Sequence, residues 1–437
     1  MEVRRTGVVG VVAVVILVLS ATTVFSQAKD ISFVTGAWWE PQNQQFKQVN
    51  GYDQFDKFAA DTGIKVAMET FPFEDLFHNL EVRLSSKDPT LDVFAIDSPL
   101  TASYAARGYT QPVGNNLSKA ELDKFFPATV QIATYKGQIW NVPFENSSQV
   151  MYINKDLFKK AGIALPSSDV KSRLTWEQVV DYGRKIQALN LPGVWGLLFD
   201  QASRPYQMLA LPQSLGAGSG VSPDGLKVQG YLNNAGWLKA MQWWYDVNNT
   251  WKIHPKGVAP AETAGMFAAG NIGMYVGGTW NIPAFMDAKK AGRLDFDIVP
   301  HPYFQGGKPA TGTNSWHLAV SPYSKKQGAA WKFVKFMTSD KIMADRFVSI
   351  GQLVANRVMT DVINKDPKYK DFPWVAYRTI VSWELANSAV PRPATPFWLE
   401  MEDQVGKAFE DVRNGADPKG TLDRTVQILE RAAQKYR

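Results

Sequence analysis

The chain has 437 residues, of which 45% are apolar and 20% charged, with a formal net charge of +6 and no cysteine. That length calls for two domains of ordinary size, and the balance of residues excludes a disordered chain or a multi-span membrane protein. The charge is spread without a dense basic run, which argues against nucleic acid as a partner. The missing cysteines exclude disulfides, thiolate metal sites, a cysteine nucleophile and a lipidated N-terminal cysteine.

In chain order, MEVRRTGVVGVVAVVILVLSATTVFSQA sets Arg4 and Arg5 ahead of an apolar run over 7–19, followed by small and polar residues. This is the anatomy of a secretory signal peptide over 1–28, with cleavage expected after Ser26 or Ala28. The run is short for a bilayer span, and an uncleaved N-terminal anchor is the competing reading. No later segment approaches about 18 uninterrupted apolar residues, so the mature protein is expected to be soluble and exported.

DISFVTGAWWEPQ then supplies a strand core of Ile31, Phe33 and Val34, stopped by Gly36, with Trp38 and Trp39 in the following loop. Phe46, Val49, Phe55, Phe58 and Ala59 recur at spacings that predict an interrupted amphipathic helix, with Gly63 as its stop before the strand IKVAMET. LDVFAID repeats the apolar strand pattern between Pro89 and Pro99 and ends on Asp97. Strands separated by helices predict an α/β sheet. Around Gly137 a tight hairpin is expected, followed by VMYI as a strand, a short helix over 156–161 stopped by Gly162, and a helix whose Thr175 and Gln178 form a capping-box pair. AGWLKAMQWWYDV, KKQGAAWKFVKFMTS and the stripe Met401, Val405, Ala408, Phe409, Val412 read as later helices. NVPFEN and HPYFQGGKPATGT, broken by Pro or Gly, are the candidate connections between lobes.

Signatures of catalysis are missing: there is no GxSxG, HExxH or GxxxxGK segment, and the four histidines are scattered. Two other groups point to binding. Glu40, Asp97 and Glu145 each fall at or just past a strand-like segment, where ligand crevices of open α/β sheets lie. As carboxylate acceptors they suit the many donors of a polyol, although each could equally cap a helix or meet a surface lysine. Of the fifteen tryptophans, Trp38, Trp39, Trp280, Trp316 and Trp398 lie in loops or at element ends, whereas Trp176, Trp243, Trp244 and Trp331 lie in helical text and read as core. A pyranose ring presents a C–H face that stacks on a flat aromatic while its hydroxyls seek polar side chains, so this combination points to carbohydrate.

Four blocks, in order, resemble the extracellular solute-binding proteins of ABC importers, the group containing maltose-binding protein. They are LDVFAIDSPLTASYAARGYTQPV, YINKDLFKKAGI with the later TWEQV, MFAAGNIGMYVGGTW, and AAWKFVKFMTS. The resemblance covers essentially the whole mature chain. It implies an α/β, two-lobe periplasmic-binding-protein fold, class II-like, with a hinged cleft between the lobes. The N-terminal lobe would comprise 29–142 and 312–350, and the C-terminal lobe 143–311 and 351–437. In the family, the segment like GMYVGGTW lines the cleft, its small residues letting ligand approach the backbone, and this makes Trp280 the first choice for a stacking platform.

The same likeness adds Trp38, Trp39 and Glu40 after the first strand, Asp97, then Glu145 and Asn146 in the first crossover. Asn314 and Trp316 follow the second crossover, and TPFWLEM adds Trp398. The implied partners are a carbohydrate or polyol ligand and the transmembrane subunits of an ABC permease. A monomer in the periplasm is expected, with no catalytic residue, cofactor or metal. An exported glycoside hydrolase using two of these carboxylates and a ligand-binding partner of a membrane sensor are the rival readings. A phosphorylated polyol or a peptide remains open as ligand.

Overall fold

The computed structural model describes residues 30–37, 48–49, 51–313, 315–350 and 353–437. Its frame is a pair of mixed sheets, each covered by helices. The first contains β1 (Ile31–Gly36), β2 (Val66–Phe71), β3 (Val93–Asp97) and β4 (Val142–Pro143). The second contains β5 (Gln149–Asn154), β6 (Trp195–Phe199), β7 (Ile272–Gly278) and β8 (Phe296–Val299). After the short β9 (Thr311–Gly312) the chain returns to the first sheet as β10 (Trp316–Val320), and β11 (Ala389–Val390) later pairs in parallel with β9. The orders are β2-β1-β3-β10-β4 and β6-β7-β5-β8. In the first sheet β10 runs antiparallel between β3 and β4. In the second, β5 runs antiparallel to both β7 and β8.

The central strands β1, β3, β5, β7 and β10 are apolar almost throughout because helices bury both faces. Phe33 on β1 meets Phe55 of the helix Gln54–Thr62 and Phe333 of the helix Gln327–Met337 edge to face, with ring centroids 6.4 and 5.4 Å away. Trp176, Trp243, Trp244 and Trp331 are core residues, as their helical setting predicts.

Local signals act as read. Gly63, at φ 70°, ends the helix Gln54–Thr62 by donating to the Ala59 carbonyl, and Thr175 with Gln178 closes a capping box. Lys136 and Gly137, both at positive φ, make the two-residue hairpin turn. One reading is corrected: no helix begins near Val49. Gln48–Val49 pairs with Tyr52–Asp53, and Asp53 then caps a helix that starts at Gln54. Gly51 at φ 84° reverses the chain there, so a turn signal outweighs the helical spacing. Phe46 lies outside the described residues.

The chain crosses between the sheets as a narrow ribbon of backbone hydrogen bonds. The Glu145 amide donates to the Trp316 carbonyl, the Asn146 amide to Leu353, and the Ala355 amide to Phe144. The C-terminal helices Trp398–Arg413 and Pro418–Gln434 pack against Ala235–Tyr245 on the side of the second sheet. Among the described residues, no helix is long and apolar enough to cross a membrane.

Candidate functional site

The carboxyl ends of β1, β2 and β3, and the start of antiparallel β10, lie on one edge of the first sheet, where Asp97 and Trp316 are direct register partners. The corresponding edge of the second sheet carries Asp200 just past β6, Gly278 at the end of β7, and Gln149 opposite Gly278.

The end of β7 explains the glycines of MYVGGTW. Trp280 sits in the turn Thr279–Asn281 directly after the strand and keeps 38% of its surface exposed. A β-carbon on Gly278 would overlap its six-membered ring, and one on Gly277 would crowd Tyr275, Asp200 and Asn281. The small residues therefore make room for the protein's own indole and its anchor. That anchor is Asp200, which accepts from Trp280 Nε1 at 3.1 Å and from Asn281 Nδ2 at 3.0 Å. Burial pushes the Asp200 carboxyl above its ordinary range, against the pull of hydrogen bonds from Asn281, Tyr275, Thr263 and Trp280. Tyr206 faces Trp280 with centroids 6.0 Å apart, and its hydroxyl shares a 2.6 Å hydrogen bond with that of Ser147.

Asp97 is not an open acceptor. The buried Arg392, just past β11, grips it with two parallel hydrogen bonds, Nη1 to Oδ2 at 2.7 Å and Nη2 to Oδ1 at 2.5 Å. The guanidinium also lies 4.9 Å from the Tyr206 ring centroid and 6.0 Å from that of Trp398. Burial works against the Arg392 charge, but Asp97 outweighs it and holds the group above its usual value. A second arginine bridges the same edges: Arg204, before the helix Pro205–Met208, stacks 4.3 Å over Phe73. Its Nη2 lies 3.5 Å from Glu402, whose carboxyl is pushed up by burial. Phe77 stacks on Trp316 with Phe73 against its edge.

Glu145 likewise departs from its expected role, since its carboxylate pairs with the buried Arg346 at 3.0 Å. Asn146 turns its Oδ1 back to the Ser147 amide and the Thr313 hydroxyl. Both serve the crossover ribbon in these contacts. Trp398 is fully enclosed as the first residue of its helix, with its Nε1–H unpartnered, so it is not the exposed platform its place at an element end suggests. Asp97, Trp280 and Trp316 therefore stand on facing edges, while Glu145 and Asn146 lie in the ribbon. Trp38, Trp39, Glu40 and Asn314 lie outside the described residues. The reading from sequence missed Asp200, Arg204, Tyr206 and Arg392. Asp200 alone carried a usable signal, because it follows a strand as Asp97 does.

Some of the buried polar atoms without partners belong to residues at or near these edges: Thr35 Oγ1, Gln149 Oε1, Arg392 Nε and Trp398 Nε1. Such atoms are costly unless something bonds them, and unspent donors and acceptors at these edges suit a ligand with hydroxyls. Among the described residues no His, Asp and Glu cluster fits a metal ion.

The family model described as "Bacterial extracellular solute-binding protein" matches residues 36–344. The chain belongs to this family of solute-binding proteins. Among the relatives of this solute-binding protein is a probable ABC transporter-binding protein of Deinococcus radiodurans, 26% identical over 81% of this chain and 82% of the relative. A mannitol-binding protein of Pseudomonas aeruginosa is 24% identical over 62% of each. An ABC transporter solute-binding protein of Thermotoga lettingae, solved with alpha-D-tagatose, superposes with a TM-score of 0.77 at 20% identity, covering 93% of this chain and 100% of that one. The two-lobe fold of such proteins is thus the fold of this one.

Proposed function

We propose that this solute-binding protein is exported to the periplasm, where it captures a sugar, oligosaccharide or polyol between its lobes and delivers it to an ABC permease. The observation that carries this reading is the Trp280 indole, exposed at a strand end, laid on Gly278 and fixed through its N–H by Asp200. The indole offers a flat apolar face, and unpartnered polar atoms of Gln149 and Arg392 at the same edges offer hydroxyl partners. The mannitol-binding relative and the tagatose-bound neighbour support a polyhydroxyl ligand.

The lobes are taken as 29–142 with 312–350, and 143–311 with 351–437, and the protein acts as a monomer. A ligand that contacts both edges favours the closed form by its difference in affinity for the two, and closure presents the protein to the permease. The protein acts as a binder and not a hydrolase: Asp97 and Glu145 are each engaged by a buried arginine, which argues against their service as an acid and base pair.

A thermal-shift panel of sugars, polyols, sugar phosphates, amino acids and short peptides tests this, since a ligand of the folded state raises Tm. A dose-dependent rise with a sugar or polyol, abolished in folded Trp280→Ala, is the expected result. Stabilisation by a peptide or amino acid alone sinks the carbohydrate assignment.

A further inference from the structure

Among the described residues, Asp97, Asp200, Arg204, Arg392 and Glu402 meet at the facing strand edges, and their pairing sets the charge a ligand meets. Arg392 is spent on Asp97 through two short hydrogen bonds, and its third contact is a weak one at 3.4 Å to the Ser98 hydroxyl. Arg204 is shared between Glu402 and the Gln201 amide oxygen, with its guanidinium flat on Phe73. Asp200 adds a carboxyl group whose partners are neutral: the indole, the Asn281 amide and the Thr263 and Tyr275 hydroxyls. Asp97 is thus the carboxylate committed to Arg392, while burial opposes the charge of Asp200 and Glu402. What Arg392 still offers is a buried, unpartnered Nε–H, a donor whose charge Asp97 has already compensated.

We infer that Asp97 sets the charge selectivity of the cleft. By holding Arg392 in a neutral pair, it lets the arginine donate to an uncharged polyhydroxyl ligand while denying it to a phosphate or carboxylate. An anionic ligand entering here would have to break a buried two-point ion pair or lie beside the Asp97 carboxylate, and like charges brought together with water excluded are strongly disfavoured. Removing only the charge, by Asp97→Asn, unmasks a guanidinium whose planar fork matches phosphate geometry. This selectivity rests on the proposed cleft, but its test does not require the natural ligand.

Binding to the purified full chain is followed by tryptophan fluorescence and calorimetry. The probes are inorganic phosphate, mannitol with mannitol 1-phosphate, and glucose with glucose 6-phosphate. The wild type is expected to ignore inorganic phosphate and to bind any phosphate ester at least about 100-fold more weakly than its neutral parent. Asp97→Asn should bind phosphate at least about tenfold tighter than the wild type, and Asp97→Asn/Arg392→Gln should lose that gain. The inference is overturned if folded Asp97→Asn gains nothing, if an ester binds the wild type as tightly as its parent, or if the wild type binds phosphate through Arg392. Should Asp97→Asn not fold, the wild-type measurements decide alone. A phosphate gain in Asp97→Asn that Arg392→Gln removes supports the charge selectivity even where mannitol and glucose do not bind the wild type, whereas the carbohydrate reading stands or falls on the wider ligand panel.

Discussion

Trp280 lies so close over Gly278 that a β-carbon at position 278 would overlap its six-membered ring. The Gly278 backbone is ordinary for any residue, at φ −85° and ψ 163°, so glycine is required here for space and not for conformational freedom. Gly278→Ala should therefore fold but push the indole off the strand end. Ligand affinity is expected to fall roughly 30-fold, or about 2 kcal/mol, the scale of losing one anchoring aromatic. Calorimetric titration beside a thermal melt checks this; unchanged affinity would mean that the indole's position does not matter.

A buried ion pair away from the cleft ties the C-terminal segment to the second crossover. Arg173 donates to Glu384 at 2.9 Å and to the His301 carbonyl at 3.0 Å, while the Thr311 hydroxyl donates to the other Glu384 oxygen at 2.9 Å. With Arg173 and Glu384 both out of water, Glu384→Ala leaves a buried guanidinium without its counter-charge. Urea unfolding should show a loss of about 3–5 kcal/mol, and Arg173→Met/Glu384→Leu should recover most of it. A loss below about 1 kcal/mol in the single variant would mean that solvent reaches the pair.

How far the site can be read from sequence depends on how local its causes are. Strand periodicity puts Asp97 at a strand end and the glycines of MYVGGTW beside Trp280, because those signals lie within a few residues. The fate of the Asp97 charge is not local. Its partner Arg392 lies 295 residues later, in a stretch with no regular period, and only the fold brings them together. Trp398 misleads for a related reason: Pro and Thr before it suggest an open loop, yet its helix starts there and packs into the interior. In the same way Gly51 overrules the helical spacing of Val49 and Phe55 through a turn that spacing does not report.

His254, His301 and His317 are fully enclosed, and burial holds each imidazole down to about 3. Arg413 adds to this for His254, Arg173 for His301 and Arg392 for His317. An unfolded histidine titrates near 6.5, so between about 3 and 6.5 the unfolded chain binds more protons than the folded one. Stability is therefore complete above this window and falls as the pH drops through it. Each histidine contributes a slope approaching about 1.4 kcal/mol per pH unit. Urea midpoints from neutral pH down to about 4.5 should show the decline, and His317→Phe should reduce the slope by about a third. A flat profile would show that these side chains take up protons in the folded state.

Two tryptophans should separate binding from folding. Trp280 is exposed on one face and held through its N–H, so Trp280→Ala removes a surface platform and should change stability by no more than about 1 kcal/mol while weakening ligand binding at least about 30-fold. Trp398 is enclosed among core side chains, and Trp398→Ala leaves a cavity that should cost about 3–5 kcal/mol. The more conservative Trp398→Phe keeps most of the packing and drops an N–H that has no partner, so it should be milder. Paired measurements of urea stability and ligand affinity decide between the roles. Weakened binding in Trp398→Phe at near wild-type stability would mean that the buried N–H is a ligand donor. If Trp280→Ala instead unfolds the protein, the exposed indole supports the fold and the platform lies elsewhere.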